Sequence, residues 1–364
     1  MTNNSNNAQV CYQCGTCTAI CPVRRIVKFS PRVAIYDSNI YDTGTDVWDC
    51  LTCGQCEAAC PQGVRLLDFF LDQRIGGKPR DIVHKGVFTE LADLMTQLSN
   101  SKTTLLEGDD TSGIGYFPGC VDFHDMFFDL DVDFGEIATS SVTLLSKAGI
   151  SPKIMQLKCC GHDQLWQGDQ ETFDKLKEEN TKLINESGID TLVVSCAECY
   201  RTFLMDYDLD CEVKHISQVL ADADLGITNG AATAAIHDAC RLGRHTGEYD
   251  APRNAIAATG AKIVEMQHNK ENALCCGVSS MMNCNDHTKA LRVLRMDEAK
   301  ATGADVLITS CPKCLAHLNC LKEEEDSEHG HDYPFEVMDL TVYLARKLSG
   351  GNGSNGSNGG DGDE

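Results

Sequence analysis

Ten of the 21 cysteines in this 364-residue chain fall into one composite pattern that occurs twice: a lone Cys, a Cys-Cys-Gly, then a Cys-x-x-Cys. The first copy is Cys120, Cys159-Cys160-Gly161 and Cys196-Ala-Glu-Cys199; the second is Cys240, Cys275-Cys276-Gly277 and Cys311-Pro-Lys-Cys314. The first copy has 38 and 35 intervening residues and the second 34 and 34, so five cysteines recur at nearly equal separations. Thiolates grouped this way hold soft metal, and five is one more than a tetrahedral zinc or a cubane requires. The fold must therefore be duplicated, and each half must bring three distant segments to one point.

Eight further cysteines form another duplicated pattern: Cys11-Tyr-Gln-Cys14-Gly-Thr-Cys17-Thr-Ala-Ile-Cys21-Pro22, then Cys50-Leu-Thr-Cys53-Gly-Gln-Cys56-Glu-Ala-Ala-Cys60-Pro61. Each is the bacterial ferredoxin run, in which three close cysteines bind one [4Fe–4S] cube and the fourth crosses to the other cube. The crossover assigns Cys11, Cys14, Cys17 and Cys60 to one cluster, and Cys50, Cys53, Cys56 and Cys21 to the other. Zinc knuckles or a disulfide framework are the competing readings. Zinc sites rarely place a fourth cysteine at this spacing before proline, and an intracellular chain keeps its thiols reduced.

A net charge of −23 argues against nucleic acid or an anionic membrane surface as partner. The polar, Asn-rich start over residues 1–10 reads as a frayed arm, not a targeting signal. No stretch approaches the roughly 18 apolar residues of a membrane helix. The expectation is a cytoplasmic protein that reaches a membrane only through a partner.

The fold class expected is α+β: a mostly helical dicluster ferredoxin-like part, then two α/β halves with parallel sheets. The boundaries read as 1–80 for the ferredoxin-like part, 81–112 for a helical linker, 113–228 and 229–349 for the halves, and 350–364 for a Gly/Asn/Ser tail. The first half offers strands at 114–117, 153–157 and 191–195 and helices at 136–148 and 171–186; the second repeats them at 234–238, 262–266 and 305–310, with helices at 252–258 and 287–301. Each half closes with a similar segment, 213–220 and 337–344. Every cysteine element follows a strand, and ligand sites of open parallel sheets lie beyond strand carboxyl ends.

The stretches Tyr116-Phe-Pro-Gly-Cys120, His237-Asp-Ala-Cys240, Leu274-Cys-Cys-Gly277 and Ser310-Cys-Pro-Lys-Cys314 resemble the cysteine-rich "CCG" domain family, best known from heterodisulfide reductases of methane-forming archaea. The front is similar to their dicluster C subunit and the back to their catalytic B subunit, fused as in a D-type subunit. The resemblance implies two cubanes and two noncubane [4Fe–4S] clusters, the latter on Cys120, Cys159, Cys160, Cys196 and Cys199 and on Cys240, Cys275, Cys276, Cys311 and Cys314. These ten would be catalytic, splitting a disulfide between the two sets. Zinc or an ordinary cube at one set is the alternative. The implied electron donor is a flavoprotein A-type subunit, a ferredoxin or a membrane b-type cytochrome, within a larger redox complex. A subunit that only passes electrons, for a fumarate reductase or a lactate or glycolate oxidase system, is the competing function. The run Val278-Ser-Ser-Met-Met-Asn-Cys284 lacks the Gly-rich stretch of glycolate and lactate relatives, which favours disulfide chemistry.

Lys158, Arg241, Arg244 and Lys313 abut expected ligands, and their convergence on one cavity would draw in a small anionic disulfide despite the global charge. His162, His237 and His245 also flank motif cysteines, as hydrogen-bond donors to sulfur or as proton donors. Cys211, Cys284 and Cys320 stand outside the motifs as small buried hydrophobes. Acidic stretches 131–133 and 323–326 read as solvated surface.

Overall fold

The computed structural model describes residues 7–41, 47–75, 93–94, 96–97, 106–227, 232–278, 284–324 and 332–349. The helix expected over 81–98 lies outside them except for 93–94 and 96–97, and the tail from 350 lies outside entirely.

Two four-stranded sheets, all parallel, carry the larger part of the chain. The first pairs in the order β2-β1-β3-β4, with β1 Ile114–Phe117, β2 Lys153–Ile154, β3 Thr191–Val194 and β4 Glu212–His215. The second repeats that order as β6-β5-β7-β8, with β5 Thr233–His237, β6 Lys262–Val264, β7 Val306–Thr309 and β8 Glu336–Asp339. The central strands are apolar on both faces, as a sheet covered on both sides must be. Alternate side chains then divide between two cores. Tyr116, Val193, Ala234, Ile236, Val306 and Ile308 face one shared by both sheets. Phe117, Leu192, Val194, Ala235 and Leu307 face the other.

The repeats embrace reciprocally. Helix Gly135–Lys147 of the first packs on Leu340–Leu348 of the second, and Ile216–Ala221 of the first on Asp250–Ala257 of the second. Those pairs are exchanged by a pseudo-twofold that relates the two repeats. Thr341 Oγ1 donates to Ile137 O at 3.4 Å across this joint, and Gln218 Nε2 to Glu248 Oε2 at 2.9 Å at the equivalent one. Caps fix where helices begin: Asp169 accepts from Thr172 N, Asn285 from Thr288 N and Asp339 from Thr341 N.

The sequence reading places the central strands and long helices within a residue or two. Strands β2 and β6 are shorter than expected, ending at 154 and 264, because the chain leaves the ladder early to deliver the Cys-Cys-Gly segments. The closing segments 213–220 and 337–344 each split into an edge strand and a helix.

The front part is built from short helices: Thr16–Ile20, Pro31–Tyr41, Gln55–Ala58 and Leu66–Arg74. Its core of Val23, Phe29, Ile35, Leu66, Phe69 and Phe70 is continuous with Cys275 and Leu291 of the second repeat. It is thus docked onto that repeat.

Candidate metal centre

The front cysteines gather around two cavities. One is lined by Cys11, Cys14, Cys17 and Cys60; the other by Cys21, Cys50, Cys53 and Cys56. This is the grouping that the crossover assigns. The two runs repeat their backbone too, with Gln13 and Gly15 matching Thr52 and Gly54 in the left-handed region at φ 64°, 86°, 48° and 80°. The cavities differ in access. Cys14 is exposed and Cys11 and Cys60 half-buried, whereas all four cysteines of the second cavity are buried. Burial pushes the Cys21 thiol up to about 12 and Cys50 to about 11, so only a cation core would hold these sulfurs as thiolates.

The other ten cysteines form one continuous thread of sulfur contacts. In the first repeat Cys120 Sγ lies 3.8 Å from Cys159 Sγ, Cys159 touches Cys160, Cys160 Sγ is 3.4 Å from Cys199 Sγ, and Cys199 touches Cys196. In the second, Cys240 touches Cys275, Cys275 touches Cys276, Cys276 Sγ is 3.3 Å from Cys314 Sγ, and Cys314 touches Cys311. Cys196 and Cys311 then contact each other where the repeats meet. Separations of 3.3–3.8 Å are far beyond a disulfide bond. They suit thiolates sharing a metal, since two ligands about 2.3 Å from one tetrahedral ion stand roughly 3.8 Å apart. The donor set thus fits iron–sulfur centres.

Local structure explains how three segments reach one point. Cys120 and Cys196 cap helices Val121–Phe127 and Ala197–Asp206, while Cys311 precedes Pro312 at the first position of helix Pro312–Glu324. The Cys-Cys pairs need the glycine that follows them. Gly161 has φ +77° and a Cβ there would come within 2.7 Å of Phe173; Gly277 has φ +102° and a Cβ would meet the Thr288 carbonyl at 2.7 Å.

The four flanking cations do not converge on one opening. Arg241 is buried and turns to the front part, where it donates to Thr52 O and to Thr52 Oγ1 at 2.7 Å, and to His162 Nε2 at 2.8 Å. Arg244 donates to Cys53 O at 2.7 Å and Ala273 O at 2.6 Å. Lys158 Nζ reaches Gln97 O at 2.7 Å. Lys313 is buried on Asp163 Oδ2 at 2.6 Å and Glu198 Oε2 at 2.7 Å. Arg241 and Lys313 are thus spent on buried partners, as buried charges must be, whereas Arg244 keeps one nitrogen, Nη2, without a hydrogen-bond partner among the described residues.

What sequence reasoning missed is the clamp these cations make. Arg74, fully buried, donates to Cys50 O at 2.5 Å, Val47 O at 3.3 Å and Trp166 O at 2.7 Å. The Trp166 ring lies between the Arg201 and Arg241 guanidinium groups, at 4.9 and 4.7 Å. His245 Nε2 lies 2.9 Å from Thr52 O. Buried arginines thus tie the 47–53 loop of the inner cavity to both repeats, and Arg244 spans from Cys53 to the Cys240 segment.

The buried charges at the repeat junction balance. His162, Asp163 and Glu198 offer three ligand atoms within 4.8 Å of one another, but the Lys313 ammonium already lies on both carboxylates. The ammonium and the His162 bond hold Asp163 well below the usual carboxylate range, while burial beside it pushes Glu198 up to about 8. One cation thus meets one anion. Burial pushes His162 down to about 3, keeping it neutral. Cys211, Cys284 and Cys320 are half-buried outside the thread; Cys320 Sγ lies 3.5 Å from Glu324 Oε1.

The cysteine-rich (CCG) domain family matches residues 114–204 and 234–319, and a 4Fe-4S dicluster domain matches 10–64, together more than half of the chain. The chain belongs to the CCG-domain iron–sulfur proteins. It is 29% identical over 232 residues to the D-type subunit of the dihydromethanophenazine:CoB–CoM heterodisulfide reductase of Methanosarcina mazei, over 58% of this chain and 54% of that one. Against an EtfAB:quinone oxidoreductase of Syntrophomonas wolfei the identity is 27% over 209 residues, 51% of this chain and 29% of the other. The chain therefore spans about half the length of the heterodisulfide reductase subunit and less of the quinone oxidoreductase. A hypothetical protein from Helicobacter pylori shares the fold, with a TM-score of 0.63 at 10% identity over 88% of this chain and 69% of that structure.

Proposed function

We propose that this chain is an iron–sulfur oxidoreductase that takes electrons from a protein donor and reduces a disulfide of the heterodisulfide kind. Cys11, Cys14, Cys17 and Cys60 would hold an outer cubane, and Cys21, Cys50, Cys53 and Cys56 an inner one. The ten threaded cysteines would hold two noncubane clusters. When bound, these groups supply one-electron steps, and two facing sets provide the two electrons that a disulfide takes up. The observation that carries the reading is the contact of Cys196 with Cys311, which sets both five-cysteine sets against each other.

The protein's own residues support one order of the sites. The outer cavity opens beside exposed Val10 and Tyr12, and Val33, Tyr36, Ile40 and Tyr41 of the same unit are also exposed, an apolar surface suited to a donor. That donor would be a flavoprotein, a ferredoxin or a b-type cytochrome. The front core around the inner cavity packs against Cys275 and Cys240, so the second set would be the nearer and the first the farther. No helix among the described residues is long and apolar enough to cross a membrane.

Stopped-flow reoxidation of the reduced protein tests the reading. Fast, structurally selective reoxidation by one class of disulfide is expected. Slow and indiscriminate reoxidation supports the second reading, an electron conduit between other redox components. That reading is favoured by one observation: Arg241 and Lys313, the buried cations beside the thread, are already bonded to protein groups.

A further inference from the structure

The cysteine registers pair each residue of one repeat with one of the other. Cys120 matches Cys240, so Phe117 at the end of β1 matches His237 at the end of β5. Both side chains are buried, but only one is polar. Phe117 packs edge-on against Phe203 at 6.0 Å. His237 instead receives a hydrogen bond at Nδ1 from Arg295 Nε, at 2.9 Å. The guanidinium has no lone pair to accept with, so His237 Nδ1 is bare and the ring proton sits on Nε2. Arg295 cannot turn away: it is fully buried, its Nη1 reaches His268 O at 2.7 Å and Glu298 Oε2 at 2.8 Å, and its Nη2 reaches Ile236 O at 3.4 Å. His237 Nε2 has no hydrogen-bond partner among the described residues, and a ring nitrogen of His237 lies in one group with Cys276 Sγ and Cys314 Sγ, all within 4.8 Å.

We infer that His237 is a positioning residue that donates an N–H bond to the sulfurs of the second cysteine set, held in that tautomer by Arg295, and that this makes the two sets unequal in reduction potential. A donor to sulfur stabilises the added negative charge of the reduced state, and such bonds are among the terms that set iron–sulfur potentials. The first set has an apolar ring in that place. The second set, next to the inner cavity, therefore takes up its one electron at a higher potential than the first, and no protein bond is made or broken. A second imidazole lies beside the same set. His317, matched by Thr202 in the first repeat, lies with Nδ1 3.0 Å from Cys276 O.

The inference rests on the reading that the second set binds a cluster. The test is an anaerobic redox titration followed by electron paramagnetic resonance, with iron measured on each sample. His237→Phe, which copies the first repeat, should shift one midpoint to lower potential and leave the others in place. His237→Asn, which keeps an N–H donor, should retain most of the original midpoint. No shift in His237→Phe at full iron content overturns the inference while leaving the cluster assignment standing. An equal shift in both variants, or loss of one cluster's iron from His237→Phe, overturns it as well, the latter by making His237 a ligand. Iron confined to the front sites of the unaltered protein would instead overturn the cluster assignment itself.

Discussion

Replacing Lys313 with Met removes the one cation from a buried site that holds two carboxylates. Lys313 lies 2.6 Å from Asp163 Oδ2 and 2.7 Å from Glu198 Oε2, and the relative exposures are 5%, 2% and 5%. Removing one partner of a buried ion pair typically costs about 3–5 kcal/mol, because the remaining charge stays uncompensated. Here the loss is expected near 4 kcal/mol at pH 8, since Glu198 already carries a proton at neutral pH while Asp163 does not. Without the ammonium both carboxylates have folded-state pKa values above their unfolded ones. The unfolded chain then holds fewer protons than the folded one from about pH 4 upward, and stability falls as pH rises, by at most about 1.4 kcal/mol per pH unit for each group. The gap to the unaltered protein should thus be wide at pH 8 and narrow at pH 5.5. Anaerobic urea unfolding of the iron-loaded proteins at both pH values measures it, with Lys313→Met/Asp163→Asn/Glu198→Gln expected to recover most of the loss. A gap below about 1 kcal/mol, or one equal at both pH values, would refute the argument from buried charge.

Three further outcomes follow from the geometry. Gly277→Ala, whose Cβ would lie 2.7 Å from the Thr288 carbonyl at φ +102°, should lower iron content by up to one cluster; Gly188→Ala, strained likewise at φ +71° but outside the cysteine segments and with nothing within 4 Å of its Cβ, should leave iron unchanged. Replacing Cys14 or Cys53 should abolish reduction by a protein donor while the cluster signals of the ten-cysteine thread persist; normal turnover would disprove the relay. His124 sits 5.5 and 5.2 Å from the Phe128 and Phe134 rings, and burial pushes it down to about 4. A lowered histidine pKa means stability is lost as pH falls from about 6.5 to 4, so His124→Phe should lose less than the unaltered protein over that window, read by thermal melting.

The cysteine spacing led to the duplication, and the alternation of apolar strand runs with helical stretches led to the two parallel sheets. The spacing also led to the two groups of four that surround the front cavities. The edge strands β4 and β8 were hidden because each is four residues long and runs directly into a helix. Side-chain destinations were hidden more deeply. Arg241 and Arg244 stand next to a cysteine in sequence, yet each reaches across to carbonyls near residue 52, about 190 positions away. A buried guanidinium goes where unpaired carbonyls are, and that depends on how the front part docks. Glu323, in a stretch read as solvated, accepts from Asp131 N at 2.8 Å. His237 was singled out as a flanking donor, but Arg295, the residue that fixes its tautomer, lies 58 positions away with no sequence mark.

The most direct test of the account is the metal content of anaerobically prepared protein. Four clusters of four irons predict about 16 iron and about 16 sulfide per chain, with no zinc. About 8 iron with stoichiometric zinc would mean that the ten threaded cysteines hold a structural metal, and would contradict the proposed disulfide chemistry.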